Sequence, residues 1–200
     1  MCHTLMARAV LSDPRFYRLL SKFDADLAEQ IRSGRCPLCG GRLDGASYPR
    51  KPRGGPDDLG EDYQRRWSFC CAVEGCRRRT TPPSVRFLGR KVYLGAVLVL
   101  VSALRYGPTP PRAAQLKEWF GVSGRTLERW RTWWLTTFAA SPFWRMARGL
   151  LRQPAEPARL PCSLLEAFPT RGEHEPWASA LRFLSPITTT SAAIGQGFRG

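Results

Sequence analysis

CPLCG at residues 36–40 and RRWSFCCAVEGCRRR at residues 65–79 decide how this chain is read. Cys36 and Cys39 form one short cysteine hook, and Cys71 and Cys76 form a second, about thirty residues further on. Each hook can present two thiolates from a tight turn, and two such hooks closing on one tetrahedral ion make a zinc ribbon. Pro37 stiffens the first turn, and Gly40 relieves the steric cost at its end. RRWSFCC alternates as a strand does, with Trp67, Phe69 and Cys71 on one side and Ser68 and Cys70 on the other. That parity favours Cys71 as the third ligand, with Cys70 as the alternative. Four thiolates leave no open position on the ion, so the expected Zn²⁺ is structural and supplies folding free energy to a segment with little core.

The other cysteines and the histidines look unligated. Cys2, Cys70 and Cys162 are spare, and His3 and His174 lie far from either hook and read as solvated side chains. The chain has seven cysteines, but MCHTLMARAVLSDPRFY lacks the apolar stretch of a secretory signal. The expectation is a reducing, cytoplasmic setting in which paired cysteines hold metal rather than form disulfides. A thioredoxin-like redox pair is disfavoured, because Cys36 and Cys39 do not sit between a strand and a helix.

Charge narrows the partners. The formal net charge is +15 over 200 residues, and all the lysines are Lys22, Lys51, Lys91 and Lys117. An arginine-rich cation of this size attracts polyanions, above all DNA or RNA. A GC-rich genome also inflates Arg, Ala, Gly and Pro, but it does not explain the shortage of acids. The excess is local: residues 35–91 carry 13 basic against 6 acidic side chains, and residues 92–153 carry 9 against 2. Arg77, Arg78 and Arg79, directly after the second hook, are candidate phosphate contacts; the plain alternative is a solvated charge run. Tyr48, Arg50, Lys51 and Arg53 make a weaker case.

The chain reads as four segments, α+β and mainly α. Residues 1–34 hold an amphipathic helix over 13–33, with Asp13 as N-cap, Pro14 in the first turn and Gly34 as terminator. Phe16, Leu19, Leu20, Phe23, Leu27 and Ile31 line one face, for packing on the ribbon or for self-association. Residues 35–91 are the ribbon, with YPRKPRGGPDDLGED (48–62) as an exposed, mobile loop between the hooks. Residues 92–153 form a helical domain. Its apolar run VYLGAVLVLVSAL (92–104) is too short to span a membrane and reads as a buried helix. Gly107, Pro108, Pro110 and Pro111 read as a linker. Residues 154–200 are a Pro-rich tail expected to be poorly ordered, with short helical pieces near 162–168 and 177–183.

RAAQLKEWFGVSGRTLERWRTWW (112–134) has the shape of a helix-turn-helix. The first helix runs to Phe120, Gly121 turns with positive φ, Val122 plugs the core, and Ser123 caps the second helix. Leu127, Trp130 and Trp134 fall on one side of that helix and read as core. Arg125, Glu128, Arg129 and Thr132 fall on another and are placed to face a major groove. Trp119, Trp133 and Trp144 also read as core.

Hooks, arginine run and helix pair, over roughly residues 30–138, resemble the zinc-ribbon plus helix-turn-helix modules of bacterial insertion-sequence proteins. These are transposase N-terminal regions and small InsA-like accessory proteins. The resemblance implies binding to double-stranded DNA at element ends or promoters. It carries the zinc ligands onto Cys36, Cys39, Cys71 and Cys76, and the recognition helix onto Arg125, Thr126 and Arg129. The departures are the long inter-hook loop and the longer second hook.

Catalysis is not expected. Every Asp lies at or before Asp62, and only Glu156, Glu166, Glu173 and Glu175 follow the helix pair, so an acidic nuclease triad is lacking. No hydrolase triad, P-loop or dinucleotide fingerprint is present. The expected function is therefore nucleoid-associated, sequence-specific DNA binding without a nuclease domain. The alternatives are a zinc-stabilised scaffold that partners a transposase, or an RNA-binding protein.

Overall fold

The computed structural model describes residues 9–10, 12–50, 59–88, 92–93, 109–120, 122–168 and 175–189. Helices dominate a mixed α+β arrangement. Helix α1 (Pro14–Ser33) starts as its sequence dictates: Asp13 accepts the Arg15 N–H on its side chain at 2.8 Å, and Pro14 occupies the first turn. It ends at Gly34, as the sequence indicates. Gly34 stays right-handed at φ −69°, and the left-handed residue is Arg35 at φ 61°, just before the first hook. The reversal into Cys36 thus falls one residue later than a glycine terminator would put it.

Between the hooks runs one antiparallel hairpin. Strands β1 (Leu43–Gly45) and β2 (Tyr48–Pro49) face β3 (Arg65–Arg66) and β4 (Phe69–Cys71). The pairs Leu43–Cys71 and Tyr48–Arg66 share a single register. Ala46 N–H donates to Ser68 O and Arg50 N–H donates to Gln64 O, so the register continues without a break. Strand β5 (Arg79–Thr80) adds to β4, giving the order β1-β4-β5. The expected inter-hook loop is therefore shorter than 48–62. Its described ends are strand β2 and the short helix α2 (Glu61–Gln64), because cross-strand bonding satisfies backbone groups that a loop would leave to water. Residues 51–58 lie outside the described residues.

Val92 and Tyr93, expected to open a buried helix, instead form strand β7 (Val92–Tyr93) against β6 (Phe87–Leu88). The rest of that apolar run, and Gly121, lie outside the described residues. Helix α3 (Pro110–Phe120) begins on the prolines read as linker; a first turn has no use for the N–H that proline lacks. Helix α4 (Gly124–Trp133) is capped by Ser123, whose Oγ accepts the Thr126 N–H at 3.3 Å. It continues as a wider π turn over Trp134–Phe138. Trp133 and Trp134 are adjacent yet both buried, and the wider turn stacks Trp134 edge-on against Phe138 at 4.6 Å. Helix α5 (Pro142–Ala147) follows, capped by Ser141.

Of the segment expected to be poorly ordered, residues 154–168 and 175–189 are described, and these are packed. Helices α6 (Cys162–Glu166) and α7 (Glu175–Leu184) lie where helical pieces were expected, but they belong to the main core. Leu164, Leu181 and Leu184 are fully buried in one cluster with Phe16 and Leu20 of α1, Leu127 of α4, Trp134, Phe138 and Trp144. Local composition signalled breaks, but apolar burial outweighs it. That cluster also crosses the boundaries drawn at residues 34, 91 and 153. A second, smaller cluster sits at the hooks: Ala28, Cys36, Leu43, Phe69 and Cys71, with Ile31 and Trp67 against it. Helix α1 serves both cores, its first half packing on the large one and its last turns on the hooks.

A buried polar network ties these parts together. Asp24 on α1 accepts from Arg86 Nε at 2.7 Å, Val85 N at 2.6 Å and Ser84 Oγ at 2.5 Å. Arg86 also donates to the carbonyls of Tyr63 and Arg65 at 2.7 and 3.1 Å. Ser84 N–H donates to Thr188 Oγ1 at 2.9 Å, so the network reaches the last described turn. Sequence reading did not single out Asp24 or Arg86, because their pairing spans 62 positions.

Candidate metal centre

Four sulfurs meet at the hooks. Cys36, Cys39, Cys71 and Cys76 place their Sγ atoms within 4.8 Å of one another. Cys36 and Cys76 are 3.7 Å apart, and Cys39 and Cys71 are 3.4 Å apart. Four sulfurs around a tetrahedral ion at about 2.3 Å have edges of about 3.8 Å. A disulfide requires about 2.05 Å. The cluster therefore fits one thiolate-bound metal ion better than two disulfides. Cys70 is not part of it: its Sγ lies on the other face of β4, 3.4 Å from Arg77 O.

The two hooks are built alike. In the first, Gly40 N–H donates to Cys36 O and Cys36 N–H donates to Gly41 O, both at 2.9 Å. In the second, Arg77 N–H donates to Val73 O and Cys71 N–H donates to Arg78 O at 2.9 Å. The residue after the last cysteine is left-handed in each: Gly40 at φ 70° and Arg77 at φ 43°. Glycine takes that conformation freely, and arginine does so under strain. Inside the second hook Gly75 is also left-handed, at φ 85°, and absorbs its extra length.

Gly41 sets how closely the hooks approach. A Cβ there would overlap the Val73 side chain and sit 3.1 Å from Cys71 Sγ and 3.3 Å from Cys39 Sγ. The sequence signal for it was the Gly-Gly pair after Cys39, of which only Gly40 was read.

Backbone N–H groups point at every sulfur. Those of Leu38 and Cys39 bring the Cys36 thiol down to about 7. Gly41, Val73 and Arg78 supply N–H groups to Cys39, Cys71 and Cys76 in turn, each lowering its thiol. Partial desolvation and the crowding of neighbouring sulfurs outweigh this, so those three thiols end above their ordinary value. One sulfur that ionises readily beside three that resist it, each already facing an N–H, makes a site that a cation can complete.

The candidate DNA contacts fall on two surfaces. Arg77, Arg78 and Arg79 are exposed beside the second hook and make no ion pair within the described residues. On α4, Arg125, Glu128, Arg129 and Thr132 are exposed, while Leu127, Trp130 and Trp133 are buried. Glu128 pairs with Arg131 at 3.7 Å, and Arg125 and Arg129 have no ion-pair partner among the described residues. Thr126 is half-buried and engaged in the cap, its hydroxyl 3.0 Å from Ser123 Oγ. Val122 is buried, as a turn plug requires. Among the described residues no helix is long and apolar enough to cross a membrane. No protein-family model, curated protein or solved structure matches the chain.

Proposed function

We propose that the chain is a sequence-specific DNA-binding protein with a structural zinc ion, serving an insertion sequence by binding its ends or regulating it. The observation that carries this reading is the division of α4 into a tryptophan-lined buried face and an exposed face bearing Arg125 and Arg129. The N-capped helix and its plug residue suit a helix-turn-helix, with those arginines toward guanine edges. The hooks and their sheet are read as a zinc ribbon. A set of four thiolates suits Zn²⁺, which would stabilise a segment with only a small core of its own. Arg77, Arg78 and Arg79 would anchor on phosphates.

Two of the late acids, Glu156 and Glu166, pair with Arg159, at 3.7 and 2.7 Å.

The test is selection of bound sequences from random duplexes, with metal content measured on the same sample. Affinity should fall steeply with salt, at a log–log slope of about −0.9 per phosphate contacted. Arg129→Ala should lose about 1–3 kcal/mol on the selected site and much less on random DNA. Equal loss on both would make Arg129 a backbone contact, and salt-independent binding would sink the reading.

A second reading, a protein-interaction scaffold, is favoured by one observation. Leu38 and Val73, at the two hook tips, are 72% and 44% exposed. A partner docked on apolar tips would hold its affinity as salt rises.

A further inference from the structure

We infer that the hairpin face bearing Arg50, Arg66 and Ser68 is a binding site for an oxyanion of the phosphate class. The hairpin register puts even-numbered residues on the face opposite the sulfur cluster. Tyr48 lies directly across from Arg66. Arg50 is its diagonal neighbour, about 7–8 Å away at Cα. Ser68 is the next residue on that face along the same strand, about 7 Å from Arg66. Guanidinium side chains span such gaps.

Arg66 is only 4% exposed. Its Nη2 donates to Pro82 O at 2.6 Å, and its Nη1 has no partner. Ser68 is fully buried, and its Oγ has no partner either. Arg50 donates from Nη2 to the Tyr48 hydroxyl at 2.9 Å and leaves Nε unsatisfied. Each such buried, unmade bond is costly, and more so on a charged group.

The charges do not balance. Asp24 is consumed by Arg86, and neither Arg50 nor Arg66 has an ion-pair partner among the described residues. Desolvation, with Arg86 and Arg50 nearby, pushes the Arg66 guanidinium below its ordinary value, although Asp24 opposes this. A buried cation whose nearby carboxylate is already bonded to another arginine is a position that an anion completes. The unpartnered groups are two guanidinium N–H donors and one hydroxyl, and the nearby carboxylates, Asp24 and Asp44, are paired with Arg86 and Arg42. Those donors match an oxyanion able to accept several charge-assisted hydrogen bonds. Tyr48, Arg50 and Gln64 are half-buried and form the solvent edge of the face.

This site does not depend on the DNA reading, and the probe is inorganic phosphate. Thermal unfolding and titration calorimetry of the metal-loaded full chain should show phosphate binding and stabilising it beyond sodium chloride at matched ionic strength. Arg66→Met should weaken phosphate binding at least about tenfold, the loss of one charge-assisted bond. In phosphate-free buffer that variant should be no less stable than the parent, since it removes a buried charge that has no ion-pair partner of its own among the described residues. A merely structural arginine would destabilise instead. Ser68→Ala, which deletes one hydroxyl, should fold normally and also weaken phosphate; it decides the matter if Arg66→Met fails to fold. Phosphorus NMR with an added duplex separates the sources. Release of phosphate assigns the site to a nucleic-acid phosphoryl group, and retention assigns it to the free anion. Equal stabilisation by chloride, or unchanged phosphate binding in both variants, overturns the proposal.

Discussion

Asp24 and Arg86 form a fully buried ion pair, Oδ2 to Nε 2.7 Å, that fastens α1 to the segment joining the sheet and the helical core. The carboxylate accepts from Arg86, Val85 and Ser84, so it is satisfied on both oxygens. The guanidinium lies 5.0 Å from the ring centroids of both Tyr63 and Phe87. Asp24→Asn should cost about 3–5 kcal/mol, because it leaves a buried guanidinium without its counter-charge. Urea unfolding checks this. A loss under about 1 kcal/mol would show that the pair is not what joins the two cores.

Gly41→Ala should loosen the metal site without touching a ligand. Its Cβ would press on Val73 and two sulfurs, an overpacking that costs about 1–3 kcal/mol. Competition with a chelator should then show metal affinity lower by about ten- to hundredfold. Gly45→Ala is the control, since nothing lies within 4 Å of a Cβ there. Equal behaviour of the two variants would refute the close approach of the hooks.

Cys71→Ser should abolish tight metal binding, and Cys70→Ser should leave stoichiometry at one ion. The two residues are neighbours, but only Cys71 Sγ lies in the four-sulfur cluster. Elemental analysis of reduced protein distinguishes them. Chelation of the parent should unfold the small hook core and leave the tryptophan core standing, which near-ultraviolet circular dichroism reads directly.

Arg77→Gly should stabilise the metal-loaded protein by about 1 kcal/mol, the usual cost of a left-handed arginine. Arg77→Ala should not, because alanine keeps the strain. If Arg77 also contacts a phosphate, both variants lose DNA affinity alike and the salt slope falls by about 0.9. Thermal denaturation and binding isotherms on the same pair separate backbone relief from charge loss.

In the metal-free, reduced protein one thiol should ionise near 7 and three above 9.0. The fold favours the Cys36 thiolate, so that contribution is present at high pH and fades as pH drops through 7. The three raised thiols act in the opposite sense, favouring the protonated fold until pH climbs past 9.0. Thiolate absorbance against pH measures both steps, and Cys36→Ser should remove the first.

How much of this was legible beforehand follows from how far apart the cooperating residues lie. Capping by Asp13 and Ser123, the parity of Trp67, Phe69 and Cys71, and the two faces of α4 each depend on residues a few positions apart. Local periodicity reports such relationships. The C-terminal segment misled because its prolines are local breaks, while its order comes from Leu164, Leu181 and Leu184 packing against α1 and the tryptophans.

By itself the sequence determined the ligand types, their pairing into hooks, the cationic balance and the amphipathic helices, since these are properties of neighbours along the chain. Only the tertiary structure decided that four sulfurs meet, that Asp24 belongs to Arg86, and that Arg66 lies buried with a nitrogen unpartnered. Those outcomes depend on which distant surfaces lose water together, and burial of that kind leaves no periodic trace in a linear pattern of residues.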